Sequence, residues 1–136
     1  MPALEPLRGI RVVAEPSALD SARWSGDRTH TGAPAGDLTV LRFARDEAFA
    51  VGATDVEIDD EHAVVEDEIG FVGAWLDPAE VAPHAEWPLP SERPALAQGS
   101  IAGVPAKLLL PADGDALLLT STAYGPELAG RLGWHR

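Results

Sequence analysis

Residues 100–132 read SIAGVPAKLLLPADGDALLLTSTAYGPELAGRL, and the pattern in this stretch decides the fold class. Residues 100–104 and 106–110 are strand material, apolar and β-branched, broken or bulged at Gly103-Pro105. Asp113-Gly114-Asp115 supplies a turn, because glycine admits positive φ and aspartate hydrogen-bonds its own backbone. Residues 116–120 (ALLLT) follow as a short apolar run bounded by turn signals, the mark of a buried strand. Ser121 or Thr122 then offers a cap to a helix whose apolar positions Tyr124, Leu128 and Leu132 recur at i, i+4 and i+8. The order is strand, turn, strand, helix.

Working outward, residues 63–87 repeat a similar order. Residues 63–65 start a strand ahead of the acids at 66–68, and residues 70–76 (GFVGAWL) are apolar throughout. At Asp77-Pro78 an aspartate stands where it can cap a short helix over 78–86 that opens on proline. Trp87 and Trp134 each close a helix, which makes a two-copy internal duplication one reading of the chain. Pro83, Pro88, Pro90 and Pro94 exclude helix and central strand, so residues 87–95 are expected to be a Pro-rich linker between two strand-helix units. Further back, Leu38, Val40, Leu41 and Phe43, a turn at 45–47 and the run AFAVGA at 48–53 predict a hairpin, while Val56 and Ile58 alternate with Glu57 and Asp59 as a half-wet strand. Residues 15–37, rich in Gly, Pro, Ser, Thr and Asp, predict a long flexible loop with one turn of helix at 17–23, least ordered over 24–36.

These elements predict a single α+β domain over 1–136, a mainly antiparallel or mixed sheet of about five to seven strands with two short helices on one face. The expected core is Leu41, Phe43, Val51, Phe71, Trp75, Ile101, Leu108, Leu110, Leu118, Leu128 and Leu132.

Composition narrows function mainly by exclusion. Apolar residues at 46% and charged residues at 24% are ordinary for a folded domain. With no cysteine in the chain, disulfides, thiolate nucleophiles and Cys-ligated metals are excluded. The net charge of −12 opposes nucleic acid and anionic membranes as partners. No apolar run at the start is long enough for a signal peptide or a span, so the expected location is cytoplasmic. The acidity is concentrated: residues 46–92 hold fourteen Asp and Glu and neither Lys nor Arg. Its densest part, with Asp59, Asp60, Glu61, Glu66, Asp67 and Glu68, is a candidate surface for a basic partner, against the plainer reading of a solvated face. A calcium loop and an H-E-x-x-H motif are both missing, so no metal site is expected.

Catalytic motifs are missing too. His62 stands beside Asp59, Asp60 and Glu61, a neighbourhood that suits a cation, but neither it nor His30, His84 or His135 has a supporting motif. No serine sits in G-x-S-x-G, and both glycine-rich phosphate loops are absent. Trp75 as a stacking platform, with Lys107 or Arg93 taking an anionic group, is the candidate ligand-binding set, against packing for the tryptophan and a solvent-facing strand position for the lysine.

Gln98-Gly99, residues 102–108 (AGVPAKL), Leu117-Leu118-Leu119 and the helix through Tyr124 and Leu128 resemble the end of the gamma subunit of heterotetrameric sarcosine oxidase, over about a third of the chain. That family is related in fold to the folate-binding domain of the glycine-cleavage aminomethyltransferase. The resemblance implies ferredoxin-like strand-helix units and an accessory subunit with no cofactor of its own, since oxidation and folate chemistry belong to the larger subunits. The Lys-Gly-Cys-Tyr-type signature of related single-chain folate-binding proteins is absent. Two expectations follow: a non-catalytic accessory or scaffold module partnered by a larger enzyme subunit or by itself, or a binder or enzyme acting on a folate-like or other small anion.

Overall fold

The computed structural model describes residues 3–26 and 38–134. The expected disorder at 24–36 therefore lies, from residue 27 onward, outside the described residues, as do His30 and His135. The chain divides into two compact units, residues 7–69 and residues 1–6 with 70–136.

The first unit takes most of strand β1 (Glu5–Val13), helix α1 (Pro16–Asp20), strands β2 (Arg23–Gly26), β3 (Thr39–Ala44), β4 (Glu47–Val51) and β5 (Ala53–Glu57), and the beginning of β6 (Val64–Leu76). β3 and β4 form the expected hairpin, Leu41 opposite Phe49, and β1 lies antiparallel on the far side of β4, with Ile10 opposite Ala50 and Val12 opposite Ala48. The hairpin's second strand stops before Ala53. Gly52, at φ 86°, turns the chain and donates its N–H to the Arg8 carbonyl at 2.7 Å, so Ala53 starts β5 instead. β5 pairs antiparallel with β2, Trp24 opposite Val56. Ile10, Val12, Ala14, Leu19, Ala48 and Ala50 make this unit's core. The small alanines of β4 leave room for Leu19 of α1 and Trp24 of β2 on the same cluster.

In the second unit the later half of β6 is followed by α2 (Pro78–Val81), a 3₁₀ turn (Ala82–His84), β7 (Ala95–Ile101), β8 (Val104–Leu110), β9 (Ala116–Ser121), a second 3₁₀ turn (Thr122–Tyr124) and α3 (Gly125–Arg131). The strand order is β6-β9-β8-β7 with antiparallel pairing throughout. Asp77 caps α2 as its position suggested, its Oδ1 accepting from the Ala79 N–H at 2.9 Å with Pro78 at the first helical position. Neither Ser121 nor Thr122 caps α3: the chain enters it through the 3₁₀ turn, and no side-chain cap bond forms there. Residues 87–94 precede β7, with Trp87 and Leu89 packed against the core of Val81, Ile101, Leu108, Leu118 and Leu128.

The molecule is thus mostly antiparallel sheet with a few short helices, an α+β architecture. Among the described residues no helix is long and apolar enough to cross a membrane. Of the expected core, Leu41, Val51, Ile101, Leu108, Leu110, Leu118 and Leu128 are buried, whereas Phe43, Phe71, Trp75 and Leu132 are only half-buried.

The expected break at Gly103-Pro105 is a two-residue hairpin turn, Ala102-Gly103, between the paired residues Ile101 and Val104. Both turn residues have positive φ, 52° and 81°, the backbone of a primed turn that matches strand twist. Arg131 Nη1 donates to the Ala102 carbonyl at 2.9 Å and would lie 2.3 Å from a Cβ at Gly103. Ala102 therefore holds a left-handed conformation that costs an L-residue about 1–2 kcal/mol. Ala102→Gly is expected to raise stability by roughly 0.5–1 kcal/mol after glycine's own entropic cost, read from urea unfolding. A loss of stability would show that the turn is not strained.

Candidate functional site

Asp59, Asp60 and Glu61 lie in the loop between β5 and β6. Asp60 is committed internally: Oδ2 accepts from the Glu15 N–H and Oδ1 from the His62 N–H, each at 2.9 Å. These bonds, Glu15's first, hold its carboxyl below the ordinary value of 3.8. A depressed folded pKa contributes stability above the unfolded value that is lost as pH falls through the folded one. Asp60→Asn should therefore lower the melting temperature at pH 7 and make progressively less difference as pH falls below about 4. A pH-independent difference would place the effect in packing instead. Asp59 and Glu61 are exposed, and the 3.4 Å approach of Glu61 to His62 is between two largely solvated side chains and is worth little.

The other three acids sit on β6, where successive side chains alternate between faces. Glu68 is committed as well. Its Oε1 lies 3.1 Å from Arg11 Nη1, and Arg11 also pairs with Glu47 and stands 5.9 Å over the Phe43 ring. Burial opposes the charge on Arg11, but the hydrogen bonds to Glu47 and Glu68 outweigh it and hold the guanidinium more firmly protonated. Glu66 borders a shallow groove of about 330 Å³ with Arg11, Val13, Glu47 and Val64, and Asp67 is exposed. Flanking these acids, Val64, Val65 and Ile69 are 50%, 46% and 71% exposed. Along the strand Val65 and Ile69 share one face and Val64 takes the other.

A second hollow, of about 570 Å³, brings Arg45 among Glu15, Asp46, Asp60 and His62. Arg11 and Arg45 lie outside the acid-rich segment in sequence, yet the fold sets both among its carboxylates. Among the described residues no group of three or more His, Asp or Glu is arranged to hold a metal ion.

The candidate ligand-binding residues are not brought together as a set. Lys107 is on β8, in a cross-strand row that runs Gln98, Lys107, Leu119, Gly73, and its Nζ donates to Gln98 Oε1 at 2.7 Å. Trp75, opposite Leu117, belongs to the next row on the same face but does not line the hollow beside Lys107. Arg93 lies away from it in the segment before β7, its Nη1 bonded to the carbonyls of Pro90 and Glu92. In place of Trp75 and Arg93, Phe71, Gln98, Ser121 and Tyr124 border the hollow. Sequence offered one signal for Gln98: it shares a strand period with Lys107 once the turn at Ala102-Gly103 is recognised. Trp87 is a packing residue, its ring over Gly99, where a Cβ would come within 2.9 Å of ring carbons.

No family model matches this chain, and no curated protein matches it.

Proposed function

We propose that the protein is a non-catalytic accessory module, a cytoplasmic subunit that docks onto a larger, basic enzyme subunit through the start of β6 and the loop before it. The observation that carries this reading is the exposure of Val64, Val65 and Ile69, between 46% and 71%, next to Glu66 and Asp67 and preceded by Asp59 and Glu61. An apolar stripe supplies burial on docking, and the acids around it select a basic counterpart and speed encounter. The resemblance of residues 98–128 to the gamma subunit of sarcosine oxidase supports the same reading and points to a flavin oxidase as the class of partner. The ferredoxin-like strand-helix units belong to this proposal too, supported by β6 leading to the proline-started α2 and β9 leading to α3.

The test is purification of the tagged full chain from its native host at low and high salt. A larger oxidase subunit is expected at low salt and should be lost as salt rises, because exposed charges are screened beyond about 8–10 Å at physiological ionic strength. The variant carrying Asp59→Asn, Glu61→Gln, Glu66→Gln and Asp67→Asn should lose it at low salt while melting like the wild type; Asp60 and Glu68 are left intact because the fold uses both. Recovery of the chain alone under every condition refutes the proposal.

A further inference from the structure

Within the second unit, β6, the 3₁₀ turn after β9, α3 and the start of the chain border a hollow of about 330 Å³, with Leu4, Val72, Thr122, Pro126, Ala129 and Trp134 in its lining. In a chain that is 24% charged, no described residue lining this hollow is ionisable, and the Thr122 hydroxyl and the Trp134 indole N–H are its only polar side-chain groups. Backbone bonds at the end of α3 place the tryptophan. Gly133, at φ 79°, turns the chain; the Trp134 N–H donates to the Ala129 carbonyl at 2.8 Å and the Gly133 N–H to the Gly130 carbonyl at 3.2 Å, the paired bonds with which a helix closes on a left-handed glycine. Half-buried, Trp134 and Leu4 pack against the core that contains Leu128 and also border the hollow. The aromatic wall is thus built before any occupant arrives.

We infer that this hollow binds a small uncharged aromatic molecule of about two fused rings, lying against Trp134. An ion entering here would give up its hydration to walls that offer no counter-charge, so the ligand is neutral. Size sets the ring count: an apolar cavity of about 150 Å³ holds benzene, and this one is roughly twice as large. The indole in the lining favours an aromatic body over an aliphatic one, because ring-on-ring contact adds to area burial. This inference is independent of the docking proposal, since neither the β6 stripe nor the loop before it contributes a residue to the hollow.

The test follows the amide chemical shifts of the full chain in two-dimensional NMR as indole is added at neutral pH. Saturable shifts centred on residues 3–4, 72, 122, 125, 129 and 134 are expected. Trp134→Ala removes the aromatic wall and Ala129→Leu puts a larger apolar side chain into the lining; each should weaken binding at least tenfold. Thermal melts identify a variant that fails to fold. Ala129→Leu keeps a strong helix former in α3 and decides the matter if Trp134→Ala unfolds. The neutral methyl ester of indole-3-carboxylic acid should bind at least tenfold more tightly than the anionic free acid, which is nearly the same size. Absence of saturable shifts at millimolar indole, shifts centred elsewhere, equal binding of ester and acid, or unchanged binding in Ala129→Leu each overturns the assignment.

Discussion

Leu118→Ala is expected to destabilise the protein by about 2–5 kcal/mol, with the denaturant midpoint falling while the slope holds. Leu118 is fully buried on β9, opposite Ala74 on one side and Leu108 on the other, in the cluster that joins the sheet to Val81 of α2 and Leu128 of α3. Removing its branched end loses the transfer free energy of those atoms and leaves a cavity. A strand held by ladders on both sides cannot collapse to fill it. For a domain whose total stability is about 5–15 kcal/mol, that loss is a large share of the whole. A change below about 0.5 kcal/mol would be a surface residue's value and would contradict the placement of β9 at the centre of the unit.

Gly9→Ala is expected to cost at least about 3 kcal/mol, the upper end of what over-packing exacts. Gly9 pairs with Val51 where β1 runs beside β4, and a Cβ there would stand 1.9 Å from the Ala50 carbonyl oxygen and 2.9 Å from a ring carbon of Phe49. The obstacle is backbone already bound into the sheet, so relief requires breaking ladder bonds rather than rotating a side chain. Gly130→Ala is the internal comparison. It has open space around it in α3 and no positive φ, so alanine should be neutral or stabilising by up to about 1 kcal/mol. If the two variants unfold at the same urea concentration, β1 does not approach β4 as described.

Gly9 also shows why part of the fold was hidden in the sequence. β1 carries Arg8, Gly9 and Arg11 among its apolar residues, which hides the alternation that identifies a strand. The glycine is there because two backbones meet, and a single sequence does not show close approach. β8 and β9 were legible because each is short, apolar and bounded by turn residues, and the stop at Asp77-Pro78 because capping chemistry is local. The continuous run of β6 was not, since Glu66, Asp67 and Glu68 interrupt its apolar pattern; these acids are strand residues whose side chains reach water or Arg11. The break expected at Gly103-Pro105 is a turn shifted by one residue, in which Ala102 as well as Gly103 takes positive φ and Arg131 of α3 donates to the Ala102 carbonyl.

The site was legible as a composition and not as an arrangement. The six acids named from sequence divide into four that face solvent and two, Asp60 and Glu68, that hydrogen-bond within the fold. Apart from the nearby His62 amide, their partners, the Glu15 amide and Arg11, stand far away in sequence. Of the candidate ligand residues, Lys107 alone borders a hollow with aromatic neighbours, while Arg93 closes on its own loop. Strand register decides these pairings, and register depends on turns whose type is fixed by a few φ angles.

The docking reading is tested most directly by photo-crosslinking in the native host, with benzoylphenylalanine placed at Ile69, the most exposed apolar residue of the β6 stripe, and at exposed Ala112 in the turn before β9 as the comparison. The account predicts one crosslinked product from Ile69, containing a larger basic protein and absent from the Ala112 protein, and its yield should drop at least tenfold when Asp59, Glu61, Glu66 and Asp67 are neutralised. No product at Ile69, a product that is a second copy of the same chain, or equal yields from both positions would contradict it.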